Sequence, residues 1–420
     1  MGIKSICVLG LGYIGLPTAS LFAAGGYGVI GVDKDERVVN MINRGLIHIE
    51  EPGLNTLVRA AVNSGQLVAK HSPEAADAFI IAVPTPLTED KKADLSFVKN
   101  AAESILPYLR AGNLVILEST SPPLTTQDFL VPILAQSGLV PGEEVLVAHC
   151  PERVLPGNIL QELVNNNRII GGINPASALK AREVYKRIVQ GDIVLTDAAS
   201  AEMAKLMENT FRDVNIALVN ELCLVAAEME LDALEVIRLA NMHPRVSLHR
   251  PGPGVGGHCL SVDPWFIVEK SRQARLIRLA REVNDSMPYY VVERIRELVG
   301  DIAEPVVTIL GVSYKGNVDD TRESPSTSIC RLLQESGVKI RIYDPHVRNY
   351  EVEQSDFETA CLGSDLIVVA ADHQEFKYLA PAEIGVLMRH KRVFDTRNCL
   401  NTKKWEEAGF FAQVLGRKFK

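Results

Sequence analysis

The 420-residue chain lacks the marks of several broad classes of protein. Cysteine is sparse: seven residues, an odd number, with no C-x-x-C pair among them. That spacing argues against a disulfide framework and against a zinc site, so no metal is expected, and a reducing, cytoplasmic compartment fits best. Positive charge is not in excess, since 44 Lys and Arg stand against 52 Asp and Glu for a net charge of −8. A chain built to grip nucleic acid carries a basic face instead. The basic cluster that does occur, Gly416-Arg417-Lys418-Phe419-Lys420, reads as a solvated terminus. No apolar run reaches the roughly 18–20 residues that a membrane-spanning helix needs, so no membrane partner is expected. Residues 1–9 enter a strand pattern at once without a small-residue cleavage site, and no signal peptide is expected.

What is present is ordinary globular composition, 47% hydrophobic and 23% charged, at a length suited to two to four domains of roughly 100–200 residues. Buried strands are read at 6–10, 29–33, 78–83 and 114–117, with a helix at 13–24. Continuous Val/Ile/Leu runs separated by helices indicate a parallel sheet covered on both faces. From Pro305 the alternation returns, and its runs at 306–311, 339–344, 365–370 and 392–395 echo the first four in order. Between the halves, residues 200–229 contain neither proline nor glycine. Apolar residues recur there at helical spacing (Met203, Leu206, Met207, Phe211, Val214, Leu218, Leu222, Val225, Ala226), which predicts a helix of about 45 Å. Further helices are expected at 232–241 and 273–285, separated by a Pro/Gly-rich loop at 243–257.

Gly10-Leu11-Gly12-Tyr13-Ile14-Gly15 follows the first strand and opens a helix, and Asp33 ends the next strand. This is the context in which G-x-G-x-x-G binds a dinucleotide. Gly10 permits the tight turn, Gly12 lets backbone approach the pyrophosphate, and Gly15 allows close helix–strand packing. The pyrophosphate then sits at a helix N-terminus. Asp33 suits the ribose hydroxyls and repels a 2′-phosphate, which predicts NAD rather than NADP. The second half offers Gly311-Val312-Ser313-Tyr314-Lys315-Gly316, with bulk where Gly12 would be needed, and is expected to hold something other than a whole dinucleotide. The expected fold is α/β: two Rossmann-like, doubly wound parallel-sheet domains joined by a long central helix, divided at 1–196, 197–300 and 301–420.

Cys259 ends the stretch Pro251-Gly252-Pro253-Gly254-Val255-Gly256-Gly257-His258-Cys259. Such a loop brings backbone and one thiol close to a ligand. Cys7, Cys223, Cys330 and Cys361 sit in strand or helix patterns and read as small buried hydrophobes. Asp263, four residues past Cys259, supplies a carboxylate able to handle a water proton. Lys205, Asn209 and Arg212 share one face of the long helix, and Met203, Leu206, Met207 and Phe211 are expected to leave little exposed surface around them. A lysine and an asparagine together can donate to an oxyanion.

These motifs, with Leu16-Pro17, Val83-Pro84-Thr85-Pro86, Glu118-Ser119-Thr120-Ser121-Pro122, Pro151-Glu152-Arg153 and Asp320-Thr321-Arg322-Glu323-Ser324-Pro325, resemble the UDP-glucose/GDP-mannose dehydrogenase family in order and over nearly the whole chain. The UDP-glucose branch usually has serine before the cysteine and lysine before the aspartate. Here His258 and Val262 stand there, and the run 262–266 looks most like the bacterial branch acting on UDP-N-acetyl-D-mannosamine, while the UDP-N-acetylglucosamine branch shares the histidine.

The resemblance implies two NAD-dependent oxidations at C6 of a UDP-sugar, alcohol to aldehyde to carboxylate, for surface-polysaccharide synthesis. Cys259 matches the family nucleophile, Lys205 its lysine on the central helix, and Asn209 the oxyanion partner. Glu152, Thr120 and Asp263 match groups that position water and shuttle protons. Arg153, Val154, Lys205, Asn209, Arg212, His243, Arg245, Gly256, Tyr314, Lys315 and Arg397 fall where the family holds the UDP-sugar. Tyr13, Ile14, Thr85, Thr120 and Arg322 match NAD contacts beyond the glycine loop. The long helix matches the family's dimerisation helix, so a homodimer is expected. Two other readings remain at this stage: a single-oxidation hydroxy-acid dehydrogenase, which needs no cysteine, and a non-catalytic NAD or nucleotide-sugar sensor.

Overall fold

Period-two alternation along short apolar strands leaves both faces of each sheet in need of cover. In the computed structural model, which describes residues 2–155 and 157–418, both faces are covered. Met1 and the tail residues Phe419 and Lys420 lie outside the described residues. The first sheet contains β1 (Ser5–Leu9), β2 (Gly28–Val32), β3 (Leu67–Lys70), β4 (Ala78–Ile81), β5 (Leu114–Leu117), β6 (Leu146–His149), β7 (Arg168–Gly172) and β8 (Ile193–Asp197). Its order is β3-β2-β1-β4-β5-β6-β7-β8. Every neighbouring pair is parallel except β6 with β7. Ile6 and Val8 join Phe22, Tyr27, Ile80 and Tyr185 on one face, and Cys7 and Leu9 join Phe79, Ile81 and Val115 on the other. Each such fully buried side chain contributes about 1.5–3 kcal/mol.

The second sheet contains β9 (Val306–Leu310), β10 (Lys339–Tyr343), β11 (Leu366–Val369), β12 (Arg392–Asp395) and β13 (Phe411–Val414). It is wholly parallel, in the order β10-β9-β11-β12-β13. The echo read from sequence extends to single hydrogen bonds. The Gly10 N–H donates to the Val32 carbonyl at 2.8 Å, and the Gly311 N–H to the Tyr343 carbonyl at 2.9 Å. At the opposite strand ends, the Asp77 carboxylate accepts from the Lys4 and Ser5 N–H groups, and Asp365 accepts from Val306.

The chain forms two compact units, residues 1–208 with 265–272, and 209–264 with 273–420. The long helix is continuous from Ala198 to Glu228. One expectation about it fails. Leu206 is buried, but Met203, Met207 and Phe211 are 36%, 43% and 64% exposed. Apolar and polar residues stand on both its covered and its exposed sides, and the covered one carries Leu206, Thr210, Asp213, Ala217 and Asn220 instead. The helix expected at 273–285 runs as Arg275–Val299, straight through Pro288. Proline removes one backbone bond, but Met287, Val291, Val292 and Ile295 pack into the second unit's core on either side of it. A further helix, Asp263–Lys270, escaped the sequence reading because Trp265, Phe266, Ile267 and Val268 are all buried, leaving no polar face to reveal its period.

Candidate active site

The glycine loop lies at the C-terminal end of β1, where the strand order turns from β2 to β4, the switch point at which open α/β sheets bind ligands. Gly10 has φ +92°, and a Cβ there would meet the Ala82 carbonyl oxygen at 2.4 Å. A Cβ at Gly12 would meet nothing within 4 Å, so the loop presents bare backbone to open space. Asp33 is fixed beside it, accepting the Leu11 N–H at 3.0 Å and the Asp35 N–H at 2.9 Å. The nearby cation Arg37 is forked onto Asp35. These groups fit an adenosine ribose and a pyrophosphate: an acid for the hydroxyls, a helix N-terminus for the phosphates, and room at Gly12. Tyr13 is exposed and Ile14 half-buried at the helix start. The Thr85 hydroxyl donates to the Thr120 carbonyl at 2.6 Å, tying together the loops that follow β4 and β5.

Deeper in the first unit, buried Glu152 follows β6. Its Oε2 accepts from Arg168 at 2.9 Å and its Oε1 from the Arg153 N–H at 2.6 Å. Arg153 is held by Glu208, and Val154 beside it is half-buried. Lys205 is 6% exposed. Near it lies fully buried His149, whose pKa burial and the Lys205 charge push down to about 3, so its ring is neutral.

In the second unit, the glycines of the nucleophile loop are there for close approach. A Cβ at Gly256 would meet the Glu323 carbonyl oxygen at 2.4 Å, and one at Gly257 the Tyr314 ring at 2.9 Å. The Gly257 N–H donates to the Arg322 carbonyl at 3.0 Å. The Cys259 carbonyl then accepts the Val262 and Asp263 N–H groups, a turn that starts the next helix. Buried Asp263 accepts one Asn209 N–H at 2.6 Å. Cys259 is half-buried, with Tyr314 in electrostatic range. Cys7, Cys150, Cys223, Cys330 and Cys361 are buried. Burial pushes the Cys7, Cys150, Cys223, Cys330 and Cys361 thiols up to about 12, out of nucleophilic use. Cys399, also part-buried, is pushed up by burial and by Asp395.

The same unit gathers Tyr314, Lys315, Arg322 and Arg397 around that loop. Lys315 lies over the Tyr314 ring, Arg322 is forked onto Asp320, and Arg397 pairs with Asp372 at 3.0 Å and lies 3.2 Å from a Cβ placed at Gly252. Arg212, His243 and Arg245 are exposed, and among the described residues the hydrogen bonds of this cluster do not include them. Sequence reasoning missed Glu118, Arg168, Tyr185 and His149 in the first unit, and the buried set Asp213, Asn220, Asn284 and Arg281 in the second. The available signal was partial: Glu118 and His149 end apolar strand runs, whereas Arg168, Arg281 and Asn284 lie among polar neighbours that hide them.

A switch-point glycine loop with its ribose acid, in a unit that also buries a lysine and carboxylates, is the site of a dinucleotide-dependent oxidoreductase. Family models place it further: the NAD binding domain of the UDP-glucose/GDP-mannose dehydrogenase family matches residues 4–189, its central domain 199–286, and its UDP binding domain 308–402. The chain belongs to this family, and NAD is its cofactor. It is 52% identical to a UDP-N-acetyl-D-mannosamine dehydrogenase of Methanococcus vannielii, over 99% of this chain and 97% of that one. Among solved structures it resembles the UDP-D-ManNAc dehydrogenase of Pyrococcus horikoshii, with TM-score 0.92 and 42% identity over 99% and 100% of the two chains. It also resembles the UDP-N-acetyl-mannosamine dehydrogenase of Staphylococcus aureus, with TM-score 0.91 and 45% identity over 99% of each.

Proposed function

We propose that the protein oxidises UDP-N-acetyl-D-mannosamine at C6 to the uronate, in the cytoplasm, for surface-polysaccharide synthesis. NAD, when bound, accepts a hydride in each of two steps. One sugar alcohol, one water and two NAD⁺ thereby give one carboxylate, two NADH and three protons. A second hydride can leave only from a tetrahedral carbon, and the Cys259 thiolate makes one by adding to the aldehyde. Lys205 gives the resulting alkoxide its proton, and Asn209 supports the oxyanion. Loss of the hydride, with the hydroxyl proton returning to Lys205, leaves a thioester on Cys259. Glu152, Thr120 and Asp263 hold the water that cleaves it. Arg153, Val154, Arg212, Gly256, Tyr314, Lys315 and Arg397 hold the UDP-sugar. Arg322 is a further NAD contact.

The observation that carries this reading is the state of Cys259: a half-buried thiol on a glycine loop seated against Tyr314, where the Cys7, Cys223, Cys330 and Cys361 thiols are sealed in apolar cores and Cys150 is buried against Arg168. The test is an NADH-forming screen of UDP-sugars, counting NADH per sugar consumed. UDP-N-acetyl-D-mannosamine is expected to give two, and Cys259→Ser to lower acid formation on the order of a thousand-fold or more. Full acid production by that variant refutes the covalent step. Faster turnover of UDP-N-acetylglucosamine transfers the assignment to the epimer.

Two further features belong to the reading. The domain division is 1–196, 197–300 and 301–420. The protein is a homodimer formed through the long helix, supported by the exposed Met203, Met207, Phe211, Leu218 and Val225 along it and Met229 just past its end, more apolar surface than one helix leaves in water without a partner. His243 and Arg245, exposed beyond that helix, then serve the neighbouring subunit's site. A monomer at every concentration in sedimentation counts against this.

A further inference from the structure

Glu118 follows directly on β5, and its side chain is completely enclosed. Arg168, which opens β7, lies between two carboxylates: 3.5 Å from Glu118 Oε1 and 2.9 Å from Glu152 Oε2. The Tyr185 hydroxyl donates to Glu118 Oε1 at 2.9 Å, and the Arg168 guanidinium stacks on the Tyr185 ring. The Cys150 thiol lies 3.6 Å from the same guanidinium. Thr18, on the helix after the glycine loop, lies alongside Glu118. Glu118 Oε2 and Thr18 Oγ1 are both sealed and have no hydrogen-bond partner among the described residues.

One cation is thus shared by two enclosed carboxylates. With both ionised, the cluster holds a net negative charge away from water, which low-dielectric surroundings oppose strongly. Burial raises Glu118 to about 7; the Arg168 charge opposes the rise and the Glu152 charge adds to it. Holding β7 against β6 needs one carboxylate on Arg168, and Glu152 already provides it. The second carboxylate adds a buried negative charge that this pairing does not need, and a glutamine of the same shape would fill its place without one.

We propose that Glu118 is a positioning residue for the reaction: by gaining or losing a proton it sets how much of the Arg168 charge is left for Glu152, and through that how firmly Glu152 is pinned away from the water that ends the second oxidation. The proposal rests on the role given to Glu152 above. The proton exchanges with bulk water, and no other group changes state. The groups facing Glu118 are Arg168, Glu152, Tyr185, Cys150 and Thr18. Below neutrality Glu118 is protonated and Arg168 is committed to Glu152. Above it Arg168 is divided, Glu152 is released, and turnover rises with pH.

The experiment is kcat against pH, from about pH 5.5 to about pH 9, at saturating NAD and UDP-N-acetyl-D-mannosamine, for the full-length enzyme, Glu118→Gln and Tyr185→Phe. The unmodified enzyme is expected to show a limb centred near neutrality. Glu118→Gln flattens that limb and lowers kcat at pH 8 about ten-fold, with both KM values within about two-fold. Tyr185→Phe removes a donor to the carboxylate and moves the limb to higher pH, which decides the matter alone if Glu118→Gln does not fold. Superimposable profiles, or an unmodified enzyme that makes two NADH per sugar without such a limb, overturn the proposal. Failure of the unmodified enzyme to make two NADH per sugar overturns the functional reading instead.

Discussion

A methyl group added at Gly15 would sit 1.8 Å from the Gly10 carbonyl oxygen, whereas one added at Gly12 would touch nothing within 4 Å. The two glycines therefore separate folding from binding. Gly15→Ala is expected to cost about 2–4 kcal/mol of stability, because backbone on both sides must shift. Gly12→Ala should change stability by less than about 1 kcal/mol yet weaken NAD at least about ten-fold, since its methyl occupies the pyrophosphate's approach. Thermal melts and NAD titration of both variants check this, and a Gly12→Ala protein with undiminished NAD affinity removes the loop from the cofactor site. Residues of this kind were legible in the sequence because their meaning is local. Gly10, Gly12, Gly15 and Asp33 announce themselves by spacing, and Cys259 by the glycines before it. Glu118, Arg168 and Tyr185 did not. They stand 50 and 67 positions apart from Glu118, and only the sheet order and the helix packed on it bring them into one cluster.

Helical and strand elements were readable where one face differs from the other, and less so where burial is uniform, as in Asp263–Lys270. What no period reveals is how elements hold a loop. In the second unit Asn220, on the long helix, accepts the Gly252 N–H at 2.9 Å and donates to Asn284 at 2.8 Å. Asn284, on Arg275–Val299, donates in turn to Asp213 at 2.8 Å, and Arg281 pairs with Asp213 at 2.5 Å. All four side chains are at most 1% exposed. This relay anchors the start of the loop that carries Cys259, so its members are buried polar groups paired with one another at the loop end, where losing a partner costs most. Asn220→Ala orphans the Gly252 N–H and the Asn284 oxygen together. It is expected to cost about 2 kcal/mol of stability, raise the sugar KM, and slow alkylation of Cys259 by iodoacetamide, with NAD affinity unchanged. Unaltered alkylation and KM in a destabilised Asn220→Ala protein mean that the loop is held by its contacts with Tyr314 and Glu323 alone.

At the scale of the molecule one parallel strand order is used twice, and the two copies part at the acid that follows the second strand. In the first, Asp33 accepts two backbone N–H groups and keeps lone pairs for a ribose. In the second, Asp344 accepts from Val312, Ser313, His346 and Val347 backbone, and also from His373 at 3.0 Å. The His373 Nδ1 accepts the Asn317 N–H at 2.8 Å, so the ring donates through Nε2 and fills the acid's remaining capacity. Burial pushes the Asp344 carboxyl up, but the His373 ring and those N–H groups outweigh it and hold it at about 2. A folded-state value below the unfolded one means stability that is present above about pH 4 and lost as pH falls toward 2. The sequence reading anticipated a second fold unable to take a whole dinucleotide from the bulk of Ser313; it did not anticipate that the acid itself is consumed. Calorimetry should therefore count one NAD per chain. Asp33→Asn, which keeps an acceptor for the Leu11 N–H, is expected to weaken NAD about ten-fold with little change in Tm. Asp344→Asn should leave NAD affinity intact while costing about 2 kcal/mol of stability at pH 7, a loss that shrinks on acidification toward pH 2. A folded Asp344→Asn protein that binds NAD more weakly would put the second fold, rather than the first alone, in the cofactor's service.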